Sequence, residues 1–218
     1  MRIPTKASFR RALNFFSPRE WKIFTILFVI IFVSMVAMIY KINSRFLVKV
    51  PVDGGSIREG IIGTPRFVNP VLAESEVDRD IASIVYSGLM KKNAEGNLVP
   101  DMAEKYELSE DGLVYTFTLK DALTFHDKTA LTTDDVAYTI GQIEDPAINS
   151  PEKINWQGVE VNVVDPKVIT FSLKKPYASF LENTTVGILP AHLWRGIKSD
   201  EFSFSTLNRN AIGSGPYE

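Results

Sequence analysis

The chain has 218 residues, 45 % of them hydrophobic, with 24 Lys and Arg against 26 Asp and Glu and no cysteine. Such an apolar share supports a packed core and excludes a disordered chain, while the missing cysteine excludes disulfides, thiolate zinc sites, thiol nucleophiles and a lipid-acylated N-terminus. The net charge of −2 hides an asymmetry, nine basic residues to two acidic up to Asp53 and fifteen to twenty-four beyond it, and an acidic main part argues against nucleic acid as a partner.

Residues Ile23 to Tyr40 carry no charge, and twelve of these eighteen are Ile, Leu, Val or Phe. As a helix the run measures ~27 Å, against a hydrocarbon core of roughly 30 Å. Its summed insertion energy is roughly −4 to −7 kcal/mol. Trp21 and Tyr40 flank it, as amphipathic rings do at the headgroup level. "SPRE" (17–20) marks the start, with Ser17 as cap, Pro18 in the first turn and Glu20 completing a capping box. A signal peptide is the rival reading, but the run exceeds the ~7–15 residues of an h-region and no small-residue cleavage site follows it. The reading is a single-pass signal anchor at 21–40, crossing the lipid bilayer, with residues 1–20 as a basic cytoplasmic N-terminus. Six cations before the span and three after it place the rest of the chain outside the cytoplasm.

Residues 41–55 read as a juxtamembrane linker that is flexible at Gly54 and Gly55, and the folded part is expected over 56–218. "SIREGIIG" (56–63) suggests a strand, and the prolines of "TPRFVNPVL" (64–72) an extended loop. From Glu76, helical spacing joins Val77, Ile81, Ile84, Val85 and Leu89, with Asp78 and Asp80 in the first turn and "NAEGN" (93–97) as the stop. Two hairpins follow. One turns at Asp111-Gly112 and buries Tyr115, Phe117 and Leu119; the other turns at Asp165-Pro166 and buries Ile169, Phe171 and Leu173.

Between the hairpins, "FHDKTALTTDDVAYTI" (125–140) concentrates a histidine and three aspartates, the raw material of a metal site or an acid/base pair. It also parses structurally: a turn over "HDKTA", an N-cap at Thr132 with Asp135 three residues on, and a helical face of Val136, Ile140 and Ile143. The only other histidine, His192, is distant in sequence and has no adjacent carboxylate. The aspartates are therefore read as first-turn and capping residues, with no metal, cofactor or catalytic group expected.

The ordered series "GLMKKNAEGNLVPDMAEKYELSEDGLVYTFTLKDALTFHDKTALTTDDVAYTI", "VEVNVVDPKVITFSLKKPYASFLE", "ILPAHLW" and "GSGPY" resembles the family 5 extracellular solute-binding proteins of ABC importers, the oligopeptide, dipeptide and nickel binding proteins. The resemblance runs from about Gly60 to the end. It departs at Lys128 and Ala130, where the family usually has glycine and proline, and family members are longer, so a partial chain is expected. What it implies is an incomplete α/β, two-lobed periplasmic-binding-protein-like clamp of type II with an extra small domain. The first lobe would be built from about 56–90 and 180–218 and the hairpin-rich small domain from about 91–179.

The implied function is capture of short peptides or another small solute, such as nickel, for an ABC permease and ATPase, without enzymatic activity. In the family the loop "TPRFVNP" faces the cleft, which makes Arg66, Phe67 and Asn69 candidate ligand contacts, with Tyr86 and Trp156 as aromatic walls. Each of these also has a packing role available to it. The competing functions are a membrane-tethered peptide sensor or chaperone on the same fold, and an extracytoplasmic hydrolase using His126, Asp127 and the nearby aspartates.

Overall fold

The computed structural model describes residues 17–46 and 60–217. Expectations for the basic N-terminus before Ser17 and for the linker around Gly54 and Gly55 lie outside the described residues. The chain divides into two units, Met1–Arg58 and Glu59–Glu218.

In the first unit, helix α1 runs over Pro18–Phe46. Its start follows from the capping pattern: Ser17 N–H donates to Glu20 Oε2 (2.7 Å) and Glu20 N–H to Ser17 Oγ (3.4 Å), satisfying donors that no preceding turn can reach. Over Pro18–Ile42 the helix is long and apolar enough to cross a membrane. Its apolar side chains are exposed all round, from Trp21 to Ile42.

The second unit is mixed α/β. Helix α2 (Glu76–Val85) is followed by a short antiparallel pair, β1 (Met90–Lys92) and β2 (Leu98–Pro100), and then by β3 (Ala103–Leu108) and β4 (Val114–Leu119). Helices α3 (Thr133–Glu144) and α4 (Lys153–Trp156) connect to β5 (Glu160–Asp165) and β6 (Val168–Ser172). Helices α5 (Phe180–Asn183) and α6 (Ala191–Trp194) and two 3-10 turns complete the described chain.

Both expected hairpins form, and they join. The sheet order is β3-β4-β6-β5, all antiparallel, with Tyr115 opposite Phe171 and Phe117 opposite Ile169. Period-two alternation puts Tyr115, Phe117, Leu119, Ile169 and Phe171 on one face, each at most 4 % exposed, and burial of side chains this size supplies roughly 1.5–3 kcal/mol apiece. Trp156 and Phe180 cover that face: Trp156 meets Phe171 at 5.5 Å and Phe180 at 5.6 Å between ring centroids, both edge-on. Val136, Ile140 and Ile143 are buried as one side of α3. Its first residue is tied to the end of β5 by Thr133 Oγ1, which donates to Asp165 O (2.6 Å).

Three expectations are corrected. Residues 60–63 form no strand, and Ile62 is almost fully exposed; a strand needs a neighbour for its backbone groups, and among the described residues none pairs there. Helix α2 stops at Val85 rather than running to "NAEGN", because Tyr86 is already extended (φ −119°, ψ 135°), and the following residues form the β1–β2 pair. The buried side of α2 is Asp78, Ala82 and Val85, while Ile84 is 43 % exposed. A carboxylate thus occupies a core-facing position, which hydrophobic periodicity cannot reveal.

Candidate functional site

Asp78 explains that inversion. Its Oδ2 accepts from Ser75 N–H (3.3 Å), and Ser75 Oγ accepts from Asp78 N–H (3.1 Å), closing a capping box at the start of α2. Oδ1 accepts from Arg66 N–H (2.7 Å) and Phe67 N–H (3.1 Å). Burial opposes ionisation of this carboxyl, but the hydrogen bonds from Arg66, Phe67 and Ser75 outweigh it and hold the group below its ordinary value. One aspartate therefore starts the helix and pins the loop before it.

A groove opens along the other side of α2. One part is a cavity of about 200 Å³ lined by Arg79, Ser83, Glu152, Glu182, Asn183 and Thr185 among others. A second, of about 710 Å³, is lined by Tyr86, Gly88, Lys91, Lys92, Asp101 and Ser214–Pro216. Ser83, Thr185 and Gly187 belong to both, so the two are continuous. Gly187 permits this closeness: a Cβ there would lie 2.5 Å from Tyr86 Cβ.

The lining carries both signs of charge. Lys91 pairs with Asp101 (2.9 Å) and Lys92 with Glu182 (3.2 Å), while Arg79 Nη1 donates to Glu74 O (2.6 Å). Cationic and anionic groups on one concave wall suit a ligand that itself carries both charges.

Of the five residues singled out from sequence, one lines this groove. This is Tyr86, itself almost fully buried; its hydroxyl is without a partner among the described residues, and burial raises its ionisation above the ordinary tyrosine value. Arg66 lies at the surface, its guanidinium 5.0 Å from the centre of the half-buried Phe67 ring. Asn69 is fully buried, donating to Asn208 Oδ1 (2.9 Å) and accepting from Val71 N–H (2.9 Å). Trp156 is 1 % exposed in the aromatic core. Sequence reading missed Arg79, Glu152 and Glu182, which are far apart along the chain and meet only through the fold.

The stretch 125–140 departs from expectation in one respect. His192 does have a carboxylate beside it: its Nε2 lies 2.8 Å from Asp127 Oδ2 across 65 residues of sequence. Thr129 N–H also bonds Asp127, and this bond, opposed by partial burial and aided by His192, holds the carboxyl below its ordinary value. Among the described residues no three His, Asp or Glu side chains gather as a metal site. His126 is engaged at both ring nitrogens by backbone, Nδ1 accepting from Gly213 N–H (3.2 Å) and Nε2 meeting Gly215 O (2.8 Å). A ring so occupied has no nitrogen free to act as a base.

Capping at α3 runs mainly through Asp135. Its Oδ2 accepts from Thr132 N–H (2.9 Å) and its Oδ1 from Ala191 N–H (3.0 Å), joining α3 to α6.

Comparison with known proteins accords with this geometry. The family model described as bacterial extracellular solute-binding proteins, family 5 middle, matches residues 97–218, more than half of the chain. The oligopeptide-binding protein AppA of Bacillus subtilis is 27 % identical over 172 residues, covering 77 % of this chain and 32 % of that protein. Its solved structure, in complex with a nonapeptide, superposes with a TM-score of 0.67 at 26 % identity over 72 % of this chain and 32 % of that one. The ABC transporter substrate-binding protein CtaP of Listeria monocytogenes gives a TM-score of 0.69 at 36 % identity, covering 77 % of this chain and 34 % of its own. NikZ of Campylobacter jejuni, in complex with Ni(L-His), gives 0.66 at 32 % identity, covering 72 % and 31 %. The chain thus spans about a third of the length of these relatives. These neighbours have the periplasmic-binding-protein fold and are solute carriers rather than enzymes. The chain belongs to the family 5 bacterial extracellular solute-binding proteins.

Proposed function

We propose that this chain is part of a membrane-anchored solute-binding component of an ABC importer, capturing short peptides outside the cytoplasm and passing them to a permease and ATPase. The observation that carries this reading is the groove along α2. A short peptide carries a carboxylate and an ammonium, and the same wall presents Arg79 to the first and Glu152 and Glu182 to the second. Tyr86 and Met90 offer apolar surface in the adjoining part. Arg66 and Phe67 belong to the loop pinned by Asp78, while Asn69 and Trp156 are buried and would act through packing.

The proposed plan is two-lobed. Residues 56–90 and 180–218 belong to the first lobe and 91–179 to the small domain, with α1 as a single-pass anchor whose N-terminus is cytoplasmic. Clamps of this kind close around ligand by a hinge and need no catalytic group.

A second reading has one specific support. The likeness to NikZ, which holds Ni(L-His), suggests a metal delivered as a chelate; a chelated ion brings its own ligands and does not require a cluster of protein donors.

Native mass spectrometry of the full chain in detergent, incubated with a mixed short-peptide pool and separately with Ni(II)–histidine, tests both readings. Retention of intact peptides, weakened at least tenfold by the double change Arg79→Ala and Glu182→Ala, supports the first. Retention of the nickel chelate alone supports the second. Peptide retention indifferent to the double change moves the site away from this groove, and cleavage of peptides overturns the carrier reading.

A further inference from the structure

His126 and the segment Gly213–Gly215 are 87 residues apart at their nearest but share three hydrogen bonds. His126 N–H donates to Gly213 O (2.9 Å), Gly213 N–H donates to His126 Nδ1 (3.2 Å), and Nε2 lies 2.8 Å from Gly215 O. These partners leave one protonation state. Gly213 N–H can only donate, so Nδ1 must accept; Gly215 O can only accept, so Nε2 must carry the proton.

The segment held in this way has no room to drift. Gly215 N–H donates to Val85 O (2.8 Å) and Tyr217 N–H to Ile84 O (3.2 Å), laying the segment along the end of α2. A Cβ at Gly213 would lie 2.0 Å from Val85 O, so only glycine fits. Ser214, Gly215 and Pro216 then form a wall of the groove.

We propose that His126 is a proton-operated clasp: its neutral ring pins the Gly213–Gly215 wall to the 125–129 turn, and protonation of the ring releases it. An imidazolium has a proton on both nitrogens, so Nδ1 can no longer accept from Gly213 N–H. Flipping the ring does not help, because either nitrogen would then present a donor to a donor. A backbone N–H deprived of its acceptor in a half-buried corner is destabilised, and the segment moves to satisfy it.

The charged neighbours of this corner do not substitute for the lost acceptor. Asp127 is occupied by His192 and by Thr129 N–H. Lys128, on the same turn, is exposed and is itself a donor. On α6, His192 faces Phe125 at 5.8 Å between ring centroids, and its Nε2 is engaged by Asp127 at 2.8 Å, so it offers Gly213 no acceptor. Tyr217 is the titratable group of the clasped segment and is half exposed. These bonds hold whether or not the groove is the binding site, so the clasp is tested without any ligand.

The experiment is NMR on the full chain in detergent micelles with ¹⁵N-labelled histidine and glycine. The chain has only two histidines, and His192→Gln identifies their signals. Long-range ¹H–¹⁵N correlations at neutral pH should show His126 as the Nε2–H tautomer. Acidification through the titration of that ring should speed Gly213 amide exchange, corrected for its intrinsic pH dependence, by roughly five- to tenfold, the loss of one hydrogen bond. The acceleration should persist in His192→Gln. In His126→Phe, Gly213 should exchange fast at every pH. An Nδ1–H tautomer, a ring that stays neutral until the chain unfolds, or Gly213 protection unchanged while the ring protonates would each overturn the clasp. So would loss of the response in His192→Gln. Should His126→Phe fail to fold, the tautomer and the acid response of the unaltered chain decide alone.

Discussion

In the sheet, β4 and β6 pair through their backbones and bury Tyr115, Phe117, Ile169 and Phe171 on one face. Around α2 the described residues form no such ladder. That region is joined by scattered backbone bonds, such as Gly215 N–H to Val85 O, and by single side chains, several acting over long sequence distances: Asp78 to the backbone of Arg66 and Phe67, Asn69 to Asn208, His126 to Gly213 and Gly215. A ladder divides its stability among many similar bonds, whereas a strap concentrates it in one side chain. The groove lies along the strapped region, the part of the second unit best placed to change shape without disturbing the sheet.

The largest loss of stability is expected from the sheet side. Phe171→Ala should cost about 3–5 kcal/mol, since the ring is fully buried between Phe117, Trp156 and Phe180; urea unfolding should show the loss as one cooperative shift. A smaller effect on overall stability, about 2–4 kcal/mol, is expected for Asp78→Ala, which strands the N–H groups of Arg66 and Phe67. Hydrogen exchange should then rise locally at 64–68 and 75–79, with the sheet amides unaffected. If the sheet loosens equally, the two regions are not separately held.

Acid sharpens the same contrast. The Asp78 carboxyl ionises below its ordinary value in the folded chain, so its contribution is complete above the unfolded-state value near 4 and is lost as pH falls through the lower folded value. Stability lost by the unaltered chain over that window, but not by Asp78→Asn, is the expected result in acid titrations.

Lys128→Gly should act in the opposite direction. Lys128 sits at φ 71° in the turn after His126, a left-handed conformation that costs a side-chain-bearing residue, so glycine should stabilise by about 0.5–1 kcal/mol in thermal melts. Least of all, Lys105→Ala should leave the thermal melt essentially unchanged, because its pair with Glu107 is solvent-exposed on β3.

The same division separates what sequence reveals from what it hides. Alternation along Tyr115-Phe117-Leu119 and Ile169-Phe171-Leu173, with Asp111-Gly112 and Asp165-Pro166 between strands, makes both hairpins legible. The helical face of Val136, Ile140 and Ile143 and the start of α1 at Pro18 are equally plain, because each is a local pattern. That the hairpins join through β4 and β6 is not legible, since nothing in either pattern names its neighbour. The groove is nearly invisible: Arg79, Glu152 and Glu182 look like ordinary solvated charges until topology places them on one wall. His192 next to Asp127 is hidden in the same way. Asp78 misled, because a buried carboxylate shifts the apparent apolar face of α2 by one residue. The glycine that family resemblance expects at Lys128 did carry information, for the backbone there adopts the conformation that glycine tolerates.

Trp156, enclosed by Phe171 and Phe180 with its Nε1 unbonded among the described residues, also has an optical consequence. Trp194, tilted against Phe202 with ring centroids 4.4 Å apart, is equally buried, whereas Trp21 on α1 is half exposed. The two buried indoles should emit toward the blue and resist a quencher dissolved in water. Under the proposed anchor reading, Trp21 should instead respond to a quencher carried on lipid tails. The three tryptophans thus act as built-in reporters, two for the state of the folded body and one for the surroundings of the helix.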